Sequence, residues 1–205
     1  MTRFYRVLKA IVRPLCFVLF PYRFEHRENI PSSGPFVICS NHISYIDPVY
    51  LALAVDGRQV FYMAKGELFR FRPFGWLLRR LGAFPVERGK GDGDAMNVGY
   101  EHLKNGQIMG IFPEGTRSKT GKLGRAKSGV AVIAARAGVP VVPAAIKVKN
   151  GKVCLFRRAV IEFAAPISPE QMKPTGEGRL NEYRAAVQRI MDPIACMLGE
   201  KEADA

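Results

Sequence analysis

His42 and Asp47 stand five residues apart in the run Asn41-His42-Ile43-Ser44-Tyr45-Ile46-Asp47-Pro48. On one continuous helix, side chains at that spacing would point about 140° apart. The flanking residues predict a different arrangement. A buried strand over Phe36–Ser40 ends just before the histidine. Asp47-Pro48 reads as a helix start, with the aspartate at the cap and the proline at the first helical position. A loop between strand end and helix start can fold the carboxylate back onto the imidazole. Such a pair makes a general base. The aspartate takes one ring N–H, sets the tautomer, and stabilises the imidazolium formed when the other nitrogen removes a proton.

On composition alone, an Asp five residues after some His arises in roughly one chain in ten, so the pair needs independent support. It comes from residues 112–118, Phe-Pro-Glu-Gly-Thr-Arg-Ser, which follow a predicted strand over 108–112. The run is too polar to continue a sheet. It sets Glu114, Thr116 and Arg117 beside backbone amides freed by Gly115. A match to Glu-Gly-Thr-Arg arises by chance on the order of once in a thousand such chains. In order with the His-Asp run, it resembles the glycerolipid acyltransferase family, in particular its bacterial 1-acylglycerol-3-phosphate acyltransferases. Residues 82–88, ending in Arg88, are similar to that family's second motif, and Val139-Pro140-Val141-Val142-Pro143 to its fourth. Lys65 and Lys127-Ser128-Gly129 match recurrent basic positions, so the resemblance covers about residues 36–146. Two departures stand out. Pro85-Val86-Glu87 replaces a commoner hydrophobic-hydrophobic-aspartate run, and Ala126 stands where an aromatic is frequent.

The resemblance implies that His42 deprotonates the sn-2 hydroxyl of a lysophosphatidic acid as that oxygen attacks a thioester carbonyl, with Asp47 orienting the imidazole. It implies that Glu114, Gly115, Thr116, Arg88 and Arg117 hold the acceptor, the arginines and Lys65 gripping its phosphate. Forked guanidinium donors and a lysine point charge suit a phosphate monoester. The product would be phosphatidic acid, for phospholipid synthesis. Acyl-CoA or acyl carrier protein would be the co-substrate, with no other cofactor and no covalent acyl-enzyme. The alternatives are another lysolipid or amino-acid lipid as acceptor, and a non-enzymatic basic binding module.

Composition agrees with an anionic partner. Lys plus Arg number 31 against 18 Asp plus Glu, a net charge of +13. No helix-turn-helix, RNA-recognition or zinc-finger pattern is present, which argues against nucleic acid. Three histidines lie far apart with no metal-ligand spacing, and no metal is expected. Four scattered cysteines show no Cys-x-x-Cys pair, which favours a reducing compartment. Cys39, flanked by Val37 and Ile38, reads as a buried residue rather than a nucleophile. No Gly-x-Ser-x-Gly elbow accompanies Ser40 or Ser44.

The supporting elements read as α/β: a mixed, mostly parallel central sheet flanked by helices, over residues 31–205. Residues 1–30 read as an amphipathic segment lying on the cytoplasmic face of a membrane. Phe4, Val7, Leu8, Ile11, Val12 and Leu15 recur at helical spacing, and Arg3, Arg6, Lys9 and Arg13 lie mostly elsewhere around the helix. The apolar run 15–20 is far short of the roughly 20 residues that span a bilayer. Pro14 should kink or divide this helix. Residues 67–84 read as partly helical, broken near Pro73-Phe74-Gly75, and as a second membrane-facing patch of aromatics and arginines. Strands are expected over 59–64, 139–147 and 152–163, the last two joined as a hairpin at Asn150-Gly151. Helices are expected from Asp94 to Asn105, over 128–137, and from about Gly178 with Leu180, Tyr183, Val187, Ile190 and Ile194 inward.

Overall fold

The computed structural model of the chain describes residues 1–86, 93–173 and 179–200. One seven-stranded sheet organises it. The strands are β1 (Tyr22–Glu25), β2 (Phe36–Ser40), β3 (Val60–Lys65), β4 (Ala83–Val86), β5 (Ile108–Ile111), β6 (Val141–Lys147) and β7 (Ala159–Phe163), in the spatial order β1-β7-β6-β2-β5-β3-β4. Every neighbouring pair is parallel except β6 with β7. This is the expected mixed, mostly parallel sheet.

Helices cover both faces, which is why all five residues of β2 are buried rather than alternating. Val37 and Cys39 face a core built with α4 (Gly93–Lys104), α5 (Gly129–Ala137) and α6 (Arg179–Leu198). Phe36 and Ile38 face the other core, with α2 (Asp47–Ala54) and residues Val12, Cys16 and Phe20 from α1 (Arg3–Leu19) and its end. Val187, Ile190 and Ile194 of α6 are buried as the periodicity required, and Tyr183 packs against them. The Leu180 side chain, Gly178 and the Gly89-Lys90-Gly91-Asp92 connection lie outside the described residues.

Several elements differ from the sequence reading. Two edge strands went unread. β1 carries two charged residues in four, and β4 contains Pro85, tolerated because an edge strand leaves one side of its ladder unpaired. The helical stretch is interrupted at residues 70–71, between a 3-10 turn over Gly66–Phe69 and the next helix, so the break falls just before Pro73 and Gly75 rather than at them. They lie in the first turn of α3 (Arg72–Arg80), where the missing proline N–H has no helical partner to lose. Asn150 and Gly151 do turn left-handed, at φ of 60° and 64°. The hairpin is nonetheless not tight, because residues 152–158 leave the sheet before β7 begins. Helix α1 is a single helix not divided at Pro14, whose ring and the Ala10 residue one turn earlier are both exposed.

The apolar face assigned to α1 is split by the fold. Leu8 is half-buried and Val12 packs on the core beside buried Tyr5 and Cys16, whereas Val7, Ile11, Leu15 and Val18 stay 56–61% exposed. Lys9 belongs to the inner side. Its ammonium donates to the carbonyls of Ala52 (2.7 Å) and Val55 at the C-terminal end of α2. Burial there lowers its pKa to about 8. Among the described residues no helix is long and apolar enough to cross a membrane.

Candidate active site

Four parallel strands in the order β2-β5-β3-β4 end side by side, neighbours about 4.8 Å apart. Their C-terminal ends are where a parallel α/β sheet presents its ligand crevice. His42 follows β2, Phe112 to Thr116 follow β5, Lys65 closes β3, and Val86 closes β4. Strand order therefore gathers segments separated by up to 74 residues in the chain onto one rim.

Asn41, fully buried, fixes the exit from β2. Its amide accepts from the Ile146 N–H (2.8 Å) and donates to the Ile146 carbonyl (3.1 Å), a two-point tie to β6. His42 then donates its Nδ1–H to Asp47 Oδ2 at 2.8 Å. The same oxygen accepts the N–H groups of Ile43 and Ser44, each at 2.7 Å. The sequence reading placed Asp47 at the helix cap. In the structure Ile46 is the cap and Asp47 the first helical residue, its carboxylate turned backward onto the loop. The imidazole and two loop amides supply three donors there, more than the helix's own first turn could. Because a carboxylate only accepts, Nδ1 carries the proton and Nε2, across the ring, is left with its lone pair. The ring is held flat by stacking on Phe112, centroids 4.1 Å apart. Asp47 is fully buried, and 18% of the His42 side chain is exposed.

Glu114 joins the two loops. Oε1 accepts the His42 N–H (2.9 Å) and Oε2 the Gly124 N–H (2.9 Å), while the His42 carbonyl accepts from Ser118 N–H (2.7 Å). Burial raises the carboxyl above its ordinary range, against the pull of those two amides. Gly115 turns left-handed at φ +70°, a conformation that side chains resist, with the Lys127 side chain passing close beside it. Beneath the rim, Gly110 admits the Tyr62 ring, which would lie 2.1 Å from an added Cβ. Tyr62 donates to the Pro48 carbonyl (2.8 Å) and so supports the start of α2.

These groups border a cleft of about 1500 Å³, larger than the ~300–1,000 Å³ of an ordinary small-molecule site. It is lined by His42, Lys65, Glu114, Gly115, Thr116 and Lys127, by the further cations Arg125, Arg136 and Arg184, and by apolar residues such as Met63, Met96, Ile133, Val187 and Met191. Lys65 pairs with Glu67 at 2.9 Å, both half-exposed, a contact that contributes little and leaves the ammonium available. Arg117 is not a lining residue. Its guanidinium lies over the exposed Tyr45 ring, 3.5 Å from the centroid. Arg88 lies outside the described residues. Cys39 is fully buried, and burial with the nearby Glu114 pushes its thiol far above the ordinary range, so it has no thiolate to offer. Asn41, Phe112 and Tyr62 were not singled out from sequence. Asn41 could have been, since a buried amide directly after a strand needs two partners.

The fold and this rim define an α/β protein with a hydrogen-bonded histidine–aspartate pair at a large, partly apolar cleft. The sequence matches the acyltransferase family model over residues 22–147, and the chain belongs to that family. It is 35% identical over 138 residues to the 1-acyl-sn-glycerol-3-phosphate acyltransferase of Bacillus subtilis, covering 67% of this chain and 68% of that one. It is 33% identical to the enzyme of that name from Streptococcus pneumoniae over 68% of this chain and 53% of the other. The chain spans only 34% of a chloroplastic relative from Brassica napus, at 40% identity. A solved 1-acyl-sn-glycerophosphate acyltransferase from Thermotoga maritima superposes with a TM-score of 0.72 over 98% of this chain and 81% of that one, at 24% identity, and so shares the fold.

Proposed function

We propose that the protein transfers a fatty acyl group from acyl-CoA or acyl carrier protein to the sn-2 hydroxyl of 1-acyl-sn-glycerol-3-phosphate, giving phosphatidic acid at the cytoplasmic face of a membrane. The observation that carries this reading is the His42–Asp47 pair, with His42 lining a large cleft whose other walls carry both lysines and arginines and apolar side chains. In the reaction, Nε2 of His42 takes the hydroxyl proton as the alkoxide oxygen attacks the thioester carbonyl. Asp47 stabilises the imidazolium. Collapse of the tetrahedral adduct breaks the C–S bond, and the departing thiolate takes the proton back. Lys65 and Lys127 are suited to the acceptor phosphate, with Arg88 and Arg117 as the further cations that the family resemblance implies. The apolar walls suit an acyl chain. Relatives bearing this activity in their names support the acceptor. The outward stripe of α1, Val7-Ile11-Leu15-Val18, supports seating on lipid. These residues fall within about 80° of arc, with Arg3, Arg6 and Arg13 along one side of the stripe.

A donor-by-acceptor activity matrix on the purified protein and its His42→Ala variant tests this. The expected result is turnover only with phosphorylated lysolipid and only in the wild type. Full activity on a phosphate-free lysolipid or amino-acid lipid would replace the acceptor. Undiminished turnover by His42→Ala would remove the base.

A further inference from the structure

The 154–158 turn, between the left-handed Asn150-Gly151 corner and β7, has no part in the cleft. Its sequence is Cys-Leu-Phe-Arg-Arg. Leu155 and Phe156 stand at its tip, 55% and 69% exposed, and Arg157 and Arg158 beside them are exposed as well. The tip is built rather than loose. The Cys154 carbonyl accepts the Arg157 N–H at 3.3 Å, and the Leu19 carbonyl at the end of α1 accepts the Phe156 N–H at 2.8 Å. Three residues on, the Ala159 N–H donates to the Pro21 carbonyl at 2.8 Å. Phe156 is held at φ +59°, a region that bulky side chains avoid. The chain thus bears a strained backbone while leaving most of a large aromatic in water, and the folded domain gains little packing from it. Those bonds set the tip against the end of α1 where Leu15, Phe17 and Val18 are exposed.

We propose that this turn is a second lipid-contact element, inserting Leu155 and Phe156 into an anionic bilayer while Arg157 and Arg158 meet its phosphates. It rests on the lipid-surface seating proposed above and adds a point of attachment from the opposite half of the chain. Protruding apolar side chains ringed by cations fit a deformable, negatively charged bilayer. A protein partner would instead require a groove or a flat face. With α1 and this turn both engaged, the edge of the sheet carrying β1 and β7 would lie against the membrane, fixing how the domain sits on it.

The test uses the full chain with Leu155→Ser and Phe156→Gly combined. Both side chains are exposed, and glycine accepts the positive φ, so the melting temperature should not fall. Sedimentation with phosphatidylcholine vesicles containing phosphatidylglycerol should show partitioning weakened about tenfold or more. Turnover on a dispersed short-chain acceptor should be unchanged. Arg157→Glu with Arg158→Glu should weaken binding about tenfold on the anionic vesicles and little on pure phosphatidylcholine. Unchanged partitioning of the apolar variant overturns the proposal. So does a wild type that sediments as a dimer and becomes monomeric in the variant, since the face would then join two copies of the chain. If the wild type acylates no lysolipid at all yet binds vesicles through this turn, the lipid contact stands and the enzymatic reading falls.

Discussion

The rim around His42 and the outer face of α1 solve opposite problems. On the rim, polar groups are removed from water and tied by concentrated hydrogen bonds: one oxygen of Asp47 takes three while the other, also buried, takes none, and Glu114 spans two loops. Along α1, apolar groups are left in water although the same helix already supplies Tyr5 and Cys16 to the core. The difference separates what the domain needs for folding from what it presents to others. Deleting the N-terminus would confuse the two. Removal of residues 1–22 takes away the Lys9 bonds to α2 and the first residue of β1 along with the exposed stripe.

The largest expected effect is on the rim. His42→Ala should lower turnover by ~100- to 10,000-fold while vesicle sedimentation stays as in the wild type, which steady-state rates and a binding assay check together. Asp47→Asn comes next. An amide can present its N–H to Nδ1, which favours the other tautomer and spoils Nε2 as a base, so a loss of ~100-fold or more is expected. A lowered melting temperature should accompany it, since two loop amides lose a charged acceptor. A fully active Asp47→Asn protein would break the proposed division of labour.

Glu114→Gln sharpens the comparison. The amide nitrogen cannot accept, so either the His42 or the Gly124 N–H loses its partner, at a cost of about 1–3 kcal/mol, and turnover should fall about tenfold. The raised carboxyl means that the folded wild type holds a proton the unfolded chain has released. Its stability should therefore decline as pH climbs from about 4 toward the raised value, and the glutamine variant should lack that decline in melts across pH.

On the other region, Val7→Ser with Ile11→Ser should weaken vesicle partitioning about tenfold and leave turnover on dispersed acceptor alone. Equal loss on dispersed and embedded acceptor would show that the stripe serves folding. Smallest is Lys9→Met. With the Lys9 pKa lowered to about 8, the unfolded chain holds one more proton than the fold between that value and the ordinary 10.5. Stability gains from this group as pH rises through the window, and chemical denaturation should show a flatter pH response in the variant.

Much of the site was legible because its signals are local. The pairing of His42 with Asp47 required only a strand end, a loop and a helix start within twelve residues. The polar run after β5 stood out because a sheet could not hold it. Lys65 does line the cleft, but whether Arg117 shares it depends on Tyr45, a residue distant in sequence that offers its ring instead. Asp47 was mistaken for a cap because propensity considers only the helix ahead, whereas the carboxylate answered to donors behind it.

Taken by itself, the sequence determined most of the element types, the buried strand β2, the α/β class, and the pairing of His42 with Asp47, all consequences of residue chemistry and short-range periodicity. The tertiary structure decided the strand order that lines up β2, β5, β3 and β4, the edge strands β1 and β4, which half of the α1 stripe is buried, and the role of Lys9. Those outcomes depend on contacts between residues far apart along the chain. A periodic pattern shows that a helix has an apolar side, but only the neighbouring surface determines how much of that side is covered.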